Sequence, residues 1–405
     1  MTDVMRGVRI LEVAEHTFVP AASALLAEWG AEVIKVEHVE RGDAMRGLAS
    51  SGTVSFGDGA HVLLEHSNRG KKSIGLDLSA DQGREVLDRL AAVSDVFLTN
   101  KLPGVRAKLG IDLDDMREAN PDIIYVCGTG QGPEGPDADK GSYDSLGYWA
   151  RAGVAMGSMR QGGGMVPPPA PAFGDSIGAM TIAGGIMGAL FHRLNTGEAT
   201  TVDVSLLGVG MWSMGAALAL SKQTQIPWGN FPSGAPIRNP LSETYETKDG
   251  RLISLTCLQA AKFWPEAATV VGRPDLADDP RFADTASITE NAPVAKELLA
   301  EEFAARHLAE WREILSGFSG PWAVVQNVLE AADDPQSVAN GYTQDYVDTE
   351  ERPYTLVSPP VHYGGRAPAP KRAPAFNEHG DSILNEVLGL DDEAVLDLKI
   401  NGVVA

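Results

Sequence analysis

The order of apolar and polar residues over the first 130 positions is typical of strands that alternate with helices. Residues 8–13 and 31–36 are short apolar runs. Between them, residues 20–29 form a helical pattern that has Pro20 in its first turn and Gly30 after its end. The alternation continues with predicted strands at 73–78, 95–98 and 123–128 and predicted helices at 80–92 and 112–119. We therefore predict an α/β protein with a mostly parallel, Rossmann-like sheet covered on both faces.

The pattern changes twice further along the chain. Small apolar residues predict helices at 145–156, 175–194 and 206–221, with a Gly- and Pro-rich loop at 162–171. From about residue 226 the chain is mixed: two short strands flank a turn at 248–250, and amphipathic patterns predict helices at 260–271 and 294–306. The tail has strand-like segments at 344–348 and 354–357 and helical patterns at 381–388 and 392–400. We assign residues 226–330 to a smaller α+β domain.

The amino-acid composition and the net charge exclude several classes of protein. The 405 residues include 33 Lys and Arg against 55 Asp and Glu, a net charge of −22, so the chain lacks the basic surface that nucleic-acid binding requires. Two cysteines, Cys127 and Cys257, make no disulfide framework and suit a reducing cytosol. The first residues have no signal-peptide pattern, and the most apolar stretches, 178–191 and 206–220, are too short to span a membrane. We expect a cytoplasmic protein without membrane contact.

Several common kinds of site are not indicated. The eight histidines are scattered and complete no metal-ligand set, there is no Gly-x-Ser-x-Gly elbow, and no Gly-x-Gly-x-x-Gly follows the first strand. One segment is locally basic: residues 66–110 carry eight Lys and Arg against five acidic residues. This segment is either an anion site or a charged face in solvent.

Two carboxylates lie at predicted helix starts. Asp144 precedes one helix, and Asp175, flanked by Gly174 and Gly178, begins the long apolar one. Asp is a common helix cap, which is the simpler interpretation of both. The alternative is a partly desolvated reactive carboxylate, with glycines that admit a substrate and free N–H groups that could stabilise an oxyanion.

Short motifs occur along the whole chain, beginning with GVRILEV at 7–13, GAEVIKVE at 30–37 and NRGKKSIGLDL at 68–78. They continue with Asn100, Pro103-Gly104, Leu109-Gly110, KDG at 248–250, DPRF at 279–282 and Glu378-His379. In this order the motifs resemble those of the class III CoA-transferases, a family that includes the α-methylacyl-CoA racemases. The first motif is similar to the family's first strand, and the next two resemble its most characteristic blocks.

The resemblance implies a dimer of two interlocked ring-like chains. Residues 1–225 and 331–405 would form the large CoA-binding domain, and 226–330 the inserted small one. CoA and acyl-CoA are implied as substrates, with a carboxylic acid as partner and no tightly bound cofactor or metal. The family's CoA contacts correspond to Thr17, Phe18, His38, Leu76, Asn100, Lys101, Lys108 and residues 141–144, and we predict that Lys71 of the basic segment contributes as well.

The resemblance also implies the catalytic residues. The family nucleophile corresponds to Asp175, which would form an anhydride and then an aspartyl-CoA thioester, and Tyr143 and Asp144 occupy further site positions. Racemases have a His where this chain has Tyr143, and a tyrosine with a pKa near 10 is a poor proton acceptor at neutral pH. Transfer of CoA is therefore favoured over racemisation. A CoA-binding protein without turnover stays as a further alternative.

Departures from the family pattern concern the acyl group. Thr17 replaces a Gln found in formyl-CoA transferases, and residues 231–235 stand in place of their glycine-rich loop. Together with Phe18 and Trp149, these differences either indicate a less polar acyl group or reflect ordinary packing.

Overall fold

The structure is a computed structural model, and it describes residues 3–51, 54–55, 57–159, 164–229 and 237–405. The chain divides into two compact units: residues 1–230 with 335–405, and residues 231–334. The assignment of a CoA-binding domain and a small domain to the two parts stays a prediction. The segment at 231–235, expected to replace the family's glycine-rich loop, lies outside the described residues.

The first unit is built on a six-stranded parallel sheet, as the alternation of strands and helices predicts. The strand order is β5-β2-β1-β6-β7-β8, and every neighbouring pair is parallel. The strands of this sheet are β1 Arg9–Val13, β2 Glu32–His38, β5 Lys72–Leu76, β6 Val96–Thr99, β7 Ile124–Thr129 and β8 Thr201–Ser205. Two antiparallel pairs accompany it: β3 Ser50–Ser51 with β4 Val54–Ser55, and β12 Thr343–Val347 with β13 Pro353–Val357.

Helices cover both faces of this sheet. The helices before the insertion are α1 Phe18–Glu28, α2 Val62–Asn68, α3 Asp81–Ala92, α4 Pro103–Leu109, α5 Leu113–Ala119, α6 Val154–Ser158, α7 Phe173–Thr196, α8 Leu206–Ser213 and α9 Gly215–Thr224. Those after it are α15 Pro335–Asn340, α16 Gly380–Ser382 and α17 Asp392–Ile400. One buried cluster joins α1, α7 and α8 to one sheet face, and a second joins α3, α5 and the C-terminal helices to the other.

The second unit has its own core. Its antiparallel sheet has the order β11-β10-β9, with β9 Thr244–Glu246, β10 Leu252–Leu255 and β11 Trp322–Val324, so the two strands predicted around the turn at 248–250 are confirmed. Its helices are α10 Ala260–Val270, α11 Thr285–Glu290, α12 Ala292–Ala304, α13 Leu308–Leu315 and α14 Val328–Ala332. Trp264, Trp311 and Phe303 are fully buried between them.

Three sequence predictions need correction. The helix expected at 145–156 is a π-helix, Ser145–Arg151, that ends before Gly153 (φ 87°) and is followed by the separate α6. The helix expected at 206–221 is broken at Met214 into α8 and α9. The strand β8 was not predicted, because its five residues are mostly half-exposed and lie between two strongly apolar helical segments.

Among the described residues, one helix is long enough and apolar enough to span a membrane. α7 has 24 residues, and a third of its most apolar window is buried inside the protein. Core helices of soluble proteins meet the same criteria, so this is weak evidence for a membrane. Here α7 packs against α1, and its residues Ala179, Ile182, Ala183 and Ile186 belong to the buried core.

Candidate active site

Asp175 lies in the first turn of α7, where the chain enters the helix from Ala172 in a left-handed conformation (φ 56°). Close packing fixes this turn: a Cβ atom on Gly174 would be 2.5 Å from the Tyr148 ring, so only glycine fits there. Asp175 is partly buried. The sequence thus places a carboxyl group at the N-terminus of a long apolar helix, as predicted.

Asp144 binds the same helix N-terminus from the π-helix. The N–H of Gly174 donates to Asp144 Oδ2 at 3.3 Å, and the N–H of Ser176 donates to the carbonyl oxygen of Ala172 at 2.9 Å. The Gly174 N–H, one of the groups at this helix start that could have stabilised an oxyanion, is therefore already bonded to Asp144. Asp144 caps α7, a role that sequence proximity does not reveal because 30 residues separate it from Gly174.

The two carboxyl groups resist ionisation. Burial, with a smaller contribution from the negative charge of Asp144, raises the pKa of Asp175 to about 8. Burial also raises the pKa of Asp144, although the N–H groups it accepts oppose that shift. The Asp175 carboxyl thus has a pKa close to neutral pH, and perturbed pKa values of this kind are common among reactive groups.

Tyr143 precedes Asp144 and is 59% exposed, so its hydroxyl is accessible to a ligand. Its ring meets the His16 ring edge-on with centroids 5.5 Å apart. His16 has a left-handed backbone (φ 69°), and its N–H donates to Asp43 at 3.1 Å. Because Asp144 reaches α7, the structure brings Tyr143, Asp144 and Asp175 into one region.

Thr17 and Phe18 begin α1 beside this region. Both are buried, and a Cβ atom on Gly178 would lie 2.3 Å from the Phe18 ring. The missing side chain at Gly178 therefore lets α1 approach α7 one turn after Asp175. Phe18 acts here as a packing residue.

Most of the other predicted CoA contacts follow the carboxyl ends of sheet strands. His38 ends β2, Leu76 ends β5 and Asn100 follows β6, and ligands of open α/β sheets bind at this edge. Asn100 fixes the loop after β1 because its amide donates to the carbonyl oxygen of Glu15 (2.7 Å) and accepts from the N–H of the same residue (3.2 Å). Lys101 contacts the Glu15 carboxylate at 2.5 Å.

Lys71 lies elsewhere. Its side chain is fully buried, and its ammonium group contacts Glu12 at 2.8 Å and Asn68 at 3.1 Å. Burial, partly offset by Glu12, lowers its pKa to about 8. With no exposed atom, Lys71 is unsuited to the phosphate contact that we predicted for it.

The basic segment does not form one cationic surface. Arg69 pairs with Glu28, Lys72 with Glu32 and Arg106 with Asp112, at 2.7–2.8 Å. Lys108, on α4, is exposed. Many of the Lys and Arg side chains of this segment are therefore paired with carboxylates of the protein. Fewer of them are available to bind an anionic ligand than the sequence suggested.

One neighbouring pair was missed by sequence reasoning. The His66 ring lies 3.3 Å (Nε2) from the Ser176 hydroxyl, directly after Asp175, and burial lowers the pKa of His66 to about 4, so it is neutral. The two residues are 110 positions apart, and no spacing signal connects them. Within the described ranges, no group of three or more His, Cys, Asp or Glu is arranged to hold a metal.

The parallel sheet covered by helices and the partly buried carboxyl group at the head of α7 are the framework of an α/β protein with a candidate reactive group. The chain belongs to CoA-transferase family III, whose family model matches residues 5–380. The resemblance found in the sequence is thus confirmed, and the chain is an enzyme of the class that uses CoA thioesters as substrates.

Similar proteins of known name align with nearly the whole chain. (R)-2-hydroxy-4-methylpentanoate CoA-transferase of Clostridioides difficile is 29% identical, over 99% of both chains. Cinnamoyl-CoA:phenyllactate CoA-transferase of Clostridium sporogenes is 28% identical, over 98% of this chain and 96% of the relative. The crystal structure of Rv3272 from Mycobacterium tuberculosis matches with a TM-score of 0.79 at 28% identity, over 93% of this chain and 98% of that one.

Proposed function

We propose that this CoA-transferase moves CoA from an acyl-CoA thioester to a carboxylic acid with Asp175 as nucleophile. The observation that carries the proposal is the position of the partly buried Asp175 carboxyl in the first turn of α7, which Asp144 caps; burial there raises the pKa of Asp175. A desolvated carboxylate is a stronger nucleophile than a hydrated one, and a covalent intermediate divides one exchange into easier steps.

Each step of the proposed reaction is an acyl transfer with its own leaving group. The ionised Asp175 carboxylate attacks the thioester carbonyl, the C–S bond breaks, and CoA thiolate leaves behind a mixed anhydride. The thiolate then attacks the aspartyl carbonyl, releases the donor acid and forms an aspartyl-CoA thioester. The acceptor carboxylate attacks the carbonyl of that thioester and expels CoA thiolate, which leaves a second mixed anhydride between Asp175 and the acceptor. The thiolate then attacks the acceptor carbonyl of this anhydride, its C–O bond to Asp175 breaks, and the products are the new acyl-CoA and the free Asp175 carboxylate.

Tyr143 and Asp144 have supporting roles in this proposal. Asp144 holds the first turn of α7 and contributes to the raised pKa of Asp175. Tyr143 directly precedes Asp144, and its side chain is largely exposed. We assign CoA to the carboxyl edge of the large sheet, near Thr17, Phe18, His38, Leu76, Asn100, Lys101 and Lys108, and omit Lys71.

The assembly and compartment are also proposals. A homodimer, a CoA-binding domain at 1–225 and 331–405, a small domain at 226–330 and a cytoplasmic location follow from the resemblance and composition. Size-exclusion chromatography with light scattering tests the dimer.

Trapping of the intermediate tests the mechanism. Incubation with an acyl-CoA and hydroxylamine should convert Asp175 into a hydroxamate that peptide mass spectrometry detects, whereas Asp175→Ala should bind CoA and show no turnover. Full transferase activity of Asp175→Ala would refute the mechanism. The acid partners can be identified with a matrix of acyl-CoA donors and acids, because the named relatives act on differing acids.

Racemisation is the second candidate, since racemases share the family resemblance. Exposure to an acyl-CoA in deuterated water without an acceptor acid separates the two reactions. Exchange of the α-proton would favour the racemase, and its absence, with transfer on addition of an acid, favours the transferase. The proton-acceptor histidine of racemases is replaced by Tyr143 in this chain.

A further inference from the structure

A cavity of about 540 Å³ lies in the first unit along the face of α7 that carries Ser176, Ala179 and Met180. Its walls come from α1, α2, α7 and the segment that includes the end of β13. The lining is mostly apolar, with Ala21, Leu25, Ala179, Met180 and Val357 among its residues. No residue of this cavity belongs to the predicted CoA contacts.

The cavity begins next to the proposed nucleophile. Ser176, Ala179 and Met180 all line it, and this i, i+3, i+4 spacing places one face of α7 along its wall. Ser176 directly follows Asp175, so the Cα atoms of the two residues are about 3.8 Å apart. Ala179 lies one turn after Asp175 on the same side of the helix and also lines the cavity, so an acyl group attached to Asp175 that extends along α7 would meet this apolar wall.

The polar groups of the cavity are already partnered. The Arg69 guanidinium contacts Glu28 at 2.8 Å through Nε and donates to the carbonyl oxygen of Val357 at 2.7 Å. His66 is hydrogen-bonded to Ser176 at 3.3 Å. A second carboxylate would therefore meet a cation that is already paired, which makes the cavity better suited to an apolar chain than to a dicarboxylic acid.

We propose that this cavity, which we call the α7 cavity, holds the apolar part of the acyl group, and that the enzyme therefore prefers acyl groups of six or more carbons, branched or aromatic. Size supports the assignment, because an apolar cavity of about 150 Å³ suffices for benzene and this one is more than three times larger. The inference rests on the proposed function, since it places the acyl carbonyl at Asp175.

Filling the cavity tests the proposal. Met180→Trp should lower kcat/KM for octanoyl-CoA and 3-phenylpropionyl-CoA at least tenfold and leave acetyl-CoA within twofold. The matched control is Met214→Trp, which fills a different cavity of about 430 Å³ beside α9 and should leave all three values unchanged. Met180→Ala enlarges the α7 cavity and should shift the preference toward longer acyl chains. This variant tests the assignment even if Met180→Trp misfolds.

The outcomes separate this inference from the mechanism. Equal loss with every acyl-CoA, no loss with any, or a wild-type enzyme that accepts only short acyl groups would each overturn the α7 cavity assignment while hydroxamate at Asp175 still forms. Failure to trap Asp175 with any acyl-CoA would instead refute the proposed function.

Discussion

Two carboxyl groups near one helix N-terminus set the chemistry at the scale of single residues. Asp144 caps α7 and Asp175 projects from its first turn, so the negative charge of one opposes ionisation of the other. Burial makes the larger contribution. The Asp175 carboxyl, which we propose as the nucleophile, is therefore largely protonated near neutral pH, and its reactivity should follow pH.

The pH dependence of turnover follows from this pair. Because kcat/KM reports ionisation in the free enzyme and Asp175 must be ionised to attack, kcat/KM should rise with pH to a plateau, with a midpoint near 8. Asp144→Asn keeps an oxygen that can accept the Gly174 N–H but removes the charge, so its midpoint should lie at lower pH. Tyr143→Phe leaves both carboxyl groups in place and should keep the wild-type midpoint, whatever its rate. Identical midpoints in wild type and Asp144→Asn would contradict this coupling.

Stability should show the opposite trend with pH. A folded-state pKa raised from 3.8 to about 8 means that the folded protein holds this proton longer than the unfolded chain. The contribution to stability is full below pH 3.8 and is lost as pH rises to 8. Asp175→Asn cannot ionise, so at pH 8 its free energy of unfolding should exceed that of wild type by about 2 kcal/mol or more, and the gap should narrow toward pH 5. Urea unfolding at several pH values measures this, and a gap that is constant with pH would argue against the shift.

Some of the site residues could be predicted from the sequence, and others could not. Asp175 was identifiable because a carboxylate between glycines at the head of an apolar segment is a local pattern. The contacts between Asp144 and Gly174 and between His66 and Ser176 join residues 30 and 110 positions apart, so only the folded chain reveals them. Lys71 was misjudged for the same reason: local charge density does not show that Glu12, 59 positions away, binds its ammonium group.

At the scale of elements, α1 and α7 form the main packed pair near the site. Gly178 allows their close approach because the Phe18 ring fills the space that a side chain would need. The long strands and helices were predictable from periodicity, whereas β8, the π-helix and the break at Met214 depend on packing that no local pattern records.

A single methyl group should test this contact. Gly178→Ala forces the Phe18 ring to move and should cost about 1–3 kcal/mol, with reduced turnover because Asp175 lies one turn away. Gly184→Ala is the control on the same helix: nothing lies within 4 Å of a Cβ there, and better helix propensity should stabilise the protein by about 0.5–1 kcal/mol. Thermal unfolding and steady-state rates of both variants distinguish the two sites, and equal effects would disprove the packing argument.

At the scale of the whole molecule, both ends of the chain build the first unit. The N–H of Asp77 donates to the carbonyl oxygen of Val403, and the N–H of Ala405 donates to that of Gly75, so the last residues lie along β5, the edge strand. Val395, Leu398, Val403 and Val404 belong to the core cluster on that face. The C-terminal segment is thus part of the core of this unit.

Paired substitutions in α17 test that role. Leu398→Ala removes a buried side chain and should lower the free energy of unfolding by about 2–3 kcal/mol, whereas Leu396→Ala, 56% exposed on the same helix, should change it by less than about 0.5 kcal/mol. Chemical denaturation measures both. A large effect at Leu396 would mean that this face is covered by something else.

The position of the last residues also has a consequence for synthesis in the cell. When residue 230 has been made, the sheet of the first unit has all six of its strands, yet the hydrophobic residues that cover its β5 side are still untranslated. At about 5–20 residues per second, the ribosome needs on the order of 10–30 s to deliver them. During that interval the nascent chain exposes the part of this apolar sheet face that α3 and α5 do not cover, and such exposed apolar surface is what chaperones bind.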